Sequence, residues 1–150
     1  MLMLILALSR IVASEAGFTP SDDAAAIIAV IYDRAERMGI EPIDAARAYA
    51  PQSFNRMRHD RRRWVAHLAL SGARPDGWPA HMSWERHRDE WLGLVSRVTE
   101  ILKHPGESNC SEVPNHWSAP SFMRPYRLGW IRVDCGNVRN ASWALPVDRD

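Results

Sequence analysis

Two stretches near the start of the chain repeat their apolar residues at helical spacing, and the few residues between them cannot continue a helix. In the first, Leu4, Leu8 and Ile11 share one face of a helix predicted from about Met3 to Ala16, and Gly17 ends it. Thr19-Pro20-Ser21-Asp22 then reads as a start signal: a capping hydroxyl, proline at the first helical position, and acids in the first turn. Asp22 and Asp23 are read as helix-capping acids on the same grounds. The second helix runs to Met38 before Gly39, with Ala24, Ile27, Ile28, Ile31, Ala35 and Met38 as a core-facing stripe. Two adjacent amphipathic helices must bury their stripes against each other or against more of the same, which directs the chain to a mainly α architecture.

The rest of the chain extends that expectation. Ile43–Ala50 is a short helix closed before Pro51, and Arg61–Leu70 is another, ended by Ser71-Gly72. A Gly/Pro loop covers Gly72–Ala80. Ser83 opens the longest helix, Trp84–His104, with apolar Trp84, Trp91, Leu94, Val95, Val98, Ile101 and Leu102, and Pro105-Gly106 stops it. The remaining third has no sustained helical period. It reads as an irregular cap packed back on the helices, with at most a short hairpin around Leu128–Val133.

At 150 residues and 46% apolar, the chain has the size of one domain, 1–150, with enough apolar surface for a core. A net charge of +1 gives no support to nucleic acid or an anionic membrane as a partner of the whole domain. The local run Arg56–Arg63 is strongly basic and reads either as a solvated helix start or as an attraction to anionic wall polymers. The early apolar run Leu2–Leu8 is far shorter than the ~20 residues of a spanning helix. It lacks the preceding basic residues and small-residue cleavage site of an export signal, so it is read as the first helix of the domain. Cys110 and Cys135 lie outside any CxxC or Cys/His zinc spacing. They are read either as a disulfide stapling the irregular third, in an oxidising location, or as two unrelated buried thiols.

Among residues that carry chemistry, Glu15 is the most informative, because it continues the Leu4, Leu8, Ile11 face at the helix end. A carboxyl there meets an unfavourable helix dipole and partial desolvation, and both favour keeping the proton that a general acid donates. The plain alternatives are an exposed helix end or a structural pair with an arginine such as Arg34. A zinc amidase or peptidase fits poorly, since HExxH is absent and neither His59/His67 nor His81/His87 is one helical turn apart. A helical DNA-binding module is disfavoured by the neutral charge and the want of a recognition helix. No cofactor is called for.

Ser14-Glu15-Ala16-Gly17, a short loop, and then Ala25–Arg34 (AAIIAVIYDR) resemble the opening of the cell wall hydrolases of the spore-cortex-lytic type, small relatives of lysozyme and the lytic transglycosylases. Tyr49-Ala50-Pro51-Gln52-Ser53-Phe54-Asn55, Pro114-Asn115-His116-Trp117, Asp134-Cys135-Gly136 and Asn140 resemble phage-encoded relatives, in the same order along the chain. The resemblance implies a lysozyme-like helical domain that cleaves the β-1,4 bond between N-acetylmuramic acid and N-acetylglucosamine, with Glu15 as the catalytic residue. Asp33 stands where the family has Asn, and pairing with an arginine would let it hold the Glu helix in place instead.

A hydrolase of this kind adds a second carboxylate, but Asp22 and Asp23 look occupied as caps. A lytic transglycosylase needs one Glu, acting as acid and then base while the muramoyl 6-hydroxyl closes a 1,6-anhydro ring. That economy suits the sequence better. Tyr32 is expected to hydrogen-bond a sugar or the Glu, or else to pack; Gln52, Ser53 and Asn55 to read N-acetyl and hydroxyl groups, or else to satisfy a Pro-led turn. His116 and Trp117 are expected as a cleft wall, with a packed satellite Trp as the alternative. The partners implied are peptidoglycan glycan strands and, for a particle-borne form, other virion or tail proteins. Such an enzyme is made in the cytoplasm and acts at the wall. The rival from another class is a non-catalytic virion component that keeps the fold for assembly.

Overall fold

The computed structural model describes residues 1–18, 21–56, 73–74, 76–121 and 129–145. The predicted helix Arg61–Leu70, the Thr19-Pro20 part of the start signal and most of the basic run Arg56–Arg63 lie outside them. Among the described residues five helices and three strands follow in order: α1 (Leu2–Ala16), α2 (Asp23–Met38), α3 (Pro42–Tyr49), α4 (Pro51–Arg56), α5 (Trp84–Ile101), β1 (His116–Ser118), β2 (Ile131–Val133) and β3 (Ala141–Ala144). The class is mainly α with a small sheet.

Helix α1 is the axis of the core. Its buried residues, Leu6 to Ser9, Ile11 to Ala13 and Ala16, run round most of its circumference. A helix apolar on so many sides is stable only when surrounded, and α2, α3, α4 and α5 all pack on it. The chain leaves α1 through Gly17 at φ 75°, a left-handed backbone that glycine adopts without a Cβ clash. Helix α2 contributes the fully buried Ile27, Ile28, Val30 and Ile31, while Met38, expected in its core stripe, is exposed. Gly39 closes α2 in the left-handed conformation, with the Ile40 amide returning to the Ala35 carbonyl at 3.0 Å.

Pro42 occupies the first turn of α3, where a missing N–H costs nothing. Pro51 does the same for α4, so Gln52-Ser53-Phe54 form a helical turn and not the Pro-led turn expected from the sequence. Ser83 caps α5 by accepting the Arg86 amide at 3.2 Å; Trp84, Trp91, Leu94 and Val98 bury its inner face.

The irregular third is more ordered than its sequence suggests. Its strands form an antiparallel sheet in the order β1-β3-β2, with Trp117 and Val133 both opposite Ser142. Of the stretch Leu128–Val133 expected to join a short hairpin, Ile131–Val133 is a strand and pairs antiparallel with β3 across residues 134–140, while Leu128 lies outside the described residues. Strands of three and four residues carry too little alternation to be read from a single sequence. Cys110 and Cys135 are joined as a disulfide, and Cys135 packs with Val133 against Ala26 of α2. No described helix is long and apolar enough to cross a membrane.

Candidate active site

Glu15 stands in the last turn of α1, half-buried, in a cleft of about 400 Å³. The walls are the end of α3 (Tyr49), the start of α4 (Pro51, Gln52, Ser53) and β1 (His116, Trp117, Ser118). The cleft exists because α1 lies across the α3–α4 junction, while the sheet closes the side that the helices leave open. The buried Ser53 hydroxyl donates to Glu15 Oε1. Glu15 is the only carboxylate among the described residues lining the cleft.

The opposite wall is built from a chain of polar contacts. Arg34 of α2 lies over the Tyr49 ring, 3.6 Å from its centroid, and its Nε donates to the Asn115 carbonyl at 2.9 Å. The Trp117 amide donates to the Tyr49 hydroxyl at 3.2 Å, and that hydroxyl meets His116 Nδ1 at 2.5 Å. Burial pushes the Tyr49 phenol up to about 12, so it keeps its proton. Burial, and then the nearby Arg34 charge, lower His116 to about 4, so the imidazole is neutral at neutral pH. The Trp117 ring packs edge-on against Tyr49 with centroids 4.6 Å apart.

The helix end that carries Glu15 is held by the distant C-terminal third. Asn140 Nδ2 donates to the Glu15 carbonyl at 3.2 Å, and Arg139 Nη1 to the Ala16 carbonyl at 3.3 Å. These are carbonyls of the last turn that have no partner within the helix. Asn140 and Arg139 are themselves gripped by Asp23, which is 1% exposed: its carboxylate accepts both backbone amides, at 2.9 and 2.7 Å, together with the Ser21 hydroxyl at 3.0 Å. Asp22 accepts the Asn137 amide and the Asn109 side chain, each at 2.8 Å. Neither acid caps α2 as expected; Asp22 sits at the N-cap position with no side-chain bond to the helix. Carboxylates accept from any well-placed N–H, and the loop amides reach them in place of the helix's own.

The structure therefore brings Glu15, Gln52, Ser53, His116 and Trp117 into one cleft and leaves two expected residues elsewhere. Tyr32 borders a separate cavity of about 440 Å³ with Glu36, Ile40 and Pro42, because its place on α2 points it away from the end of α1. Asp33 pairs at 2.9 Å with Arg37 on its own helix and does not tie down α1. The side chain of Asn55 lies outside the described residues. Arg34 is not paired with Glu15. Tyr49 and its Arg34 support were missed as functional residues, since their partners lie more than 60 residues away and leave no local pattern. Among the described residues no group of three or more His, Cys, Asp or Glu is placed to hold a metal ion. Comparison with family models, curated proteins and solved structures finds no match to this chain.

Proposed function

We propose that this protein is a peptidoglycan glycosidase with a lysozyme-like domain, working as a lytic transglycosylase through Glu15. The observation that carries the reading is a single half-buried carboxyl, oriented by Ser53, in an open cleft with an aromatic and amide-bearing wall. In the proposed reaction Glu15 gives its proton to the glycosidic oxygen, and the bond from that oxygen to the anomeric carbon of the muramoyl residue breaks. The muramoyl 6-hydroxyl oxygen then bonds to the anomeric carbon, and its proton returns to Glu15. No second carboxylate is required, and both nearby candidates are committed elsewhere: Asp23 is buried under loop amides, and Asp22 is bonded to Asn137 and Asn109. Gln52 and Ser118 supply polar surface for a sugar, while Trp117, 8% exposed and packed on Tyr49, backs the wall from the core as the packed-Trp alternative expected. The setting that fits is the cell wall, as a free lysin or a particle-borne enzyme.

The test is digestion of purified peptidoglycan followed by mass spectrometry. A 1,6-anhydromuramic product, lighter by one water than the hydrolytic product, is expected. Glu15→Gln keeps size and hydrogen bonding but cannot donate the proton, and should lose ~10²–10⁴-fold in rate with folding intact. Full activity in Glu15→Gln would overturn the assignment. An inert wild-type protein on clean peptidoglycan would favour a non-catalytic virion component.

A further inference from the structure

We infer that His116 is a fixed neutral hydrogen-bond donor, locked by Tyr49 as the Nε2–H tautomer, and that it reads the acetamido carbonyl of a sugar bound in the Glu15 cleft. The ligand class rests on the glycosidase reading; the tautomer rests on the hydrogen-bond geometry round Tyr49 together with the burial that keeps the ring neutral. The Tyr49 oxygen already receives the Trp117 amide at 3.2 Å and lies beside the Arg34 guanidinium. Both are donors without acceptor capacity. The phenol's own proton is therefore directed to His116 Nδ1, 2.5 Å away. A neutral imidazole that accepts at Nδ1 carries its hydrogen on Nε2.

Tyr49 is held in turn. Arg34 covers one face of its ring and is anchored on the Asn115 carbonyl; Asn115 is pinned to β3 by its own amide, which donates to the Trp143 carbonyl at 2.9 Å, and just past β3 by the Leu145 amide, which donates to its Oδ1 at 2.8 Å. His116 cannot rotate freely to exchange its nitrogens, because its ring also packs against Trp130 with centroids 4.8 Å apart. A donor without charge suits a neutral acceptor. Burial, and then the Arg34 charge, disfavour the imidazolium, the form that would recruit a carboxylate of a peptide stem or lactyl group. The acetamido carbonyl is the strongest neutral acceptor on an N-acetylated glycan, and a 2-hydroxyl in its place is both shorter and a weaker acceptor.

Nitrogen-15 NMR of the imidazole in the intact protein at neutral pH tests the tautomer without any ligand. Nε2–H is expected; an Nδ1–H form or an imidazolium overturns the inference. Tyr49→Phe keeps the ring under Arg34 but removes the hydroxyl, and should turn the spectrum into a tautomer mixture. An unchanged spectrum would show that Tyr49 does not position His116. For the ligand, binding of a β-1,4 N-acetylglucosamine oligomer is compared with that of the matching glucose oligomer in wild type, His116→Asn and His116→Gln. Wild type should prefer the acetylated sugar by about 3- to 10-fold, the value of one neutral hydrogen bond. His116→Asn, which replaces only the Nδ1 side, should lose that preference, and His116→Gln, which keeps an N–H near Nε2, should retain part of it. A preference undiminished in His116→Asn overturns the acetamido assignment. If the tautomer is Nε2–H but wild type binds neither oligomer, the carbohydrate reading of the cleft has failed and the acetamido assignment falls with it.

Discussion

Individual residues in the cleft are tuned by what they touch more than by what they are. His116 shows this most clearly. Its folded value is lowered from 6.5 to about 4, chiefly by burial, so between those two values the unfolded chain binds a proton that the folded chain refuses. Stability from this group is then fully present above about pH 6.5 and is lost as the pH falls from 6.5 towards 4. The melting temperature of wild type should decline over that window, and His116→Asn should flatten the decline. Melting curves collected at steps of pH measure the difference directly. That Glu15 stands at the end of α1 was legible in the sequence because two local facts coincided: the stripe it continues and the glycine two residues on. Tyr49 was not, because a phenol at the end of a short helix means nothing until a strand 67 residues later presents an imidazole to it.

Between elements, the short-range signals read well and the long-range ones did not. Gly17, Gly39 and Ser83 each end or begin a helix by local backbone chemistry, and all three are where the sequence puts them, whereas Pro42, which opens α3, was not read as a start. β2 falls within the stretch read as a hairpin, but β1 and β3 escaped detection because they are held by partners, not by their own pattern. The two acids at the start of α2 are the sharpest case. As caps, their replacement by asparagine should cost up to about 1 kcal/mol; as the clasp between α2 and the C-terminal loop, Asp23 is worth more. Asp23→Asn turns one buried acceptor into a donor that faces the Arg139 or Asn140 amide, and should cost about 2–4 kcal/mol in urea unfolding. Asp22→Asn, at a half-exposed site with fewer bonds, should cost less. Equal losses from the two variants would contradict the clasp.

At the scale of the whole molecule, a central helix packed against the four other described helices carries a small sheet, and one covalent link joins the loop before β1 to the loop after β2. The Cys110–Cys135 bridge closes a loop of 25 residues, worth on the order of 3.5 kcal/mol in the chain-entropy account. Reduction, or a double Cys→Ser variant, should lower the melting temperature by several degrees. Two reactive thiols in the native, air-oxidised protein would contradict the bridge. The loss should reach the cleft as well, since Asn137, Arg139 and Asn140 hang from the segment that the bridge anchors.

The clasp on the end of α1 also bears on the order in which the protein can be made. Asn140 meets the Glu15 carbonyl across 125 residues and Asp23 across 117, so these contacts close among the largest loops the chain can form. Long-range contacts of this kind slow folding. During synthesis the described helices emerge first and can collapse round α1, but the carbonyls of Glu15 and Ala16 and the carboxylate of Asp23 wait for partners that have not yet left the ribosome. A nascent chain stalled after α5 has its core and no finished cleft.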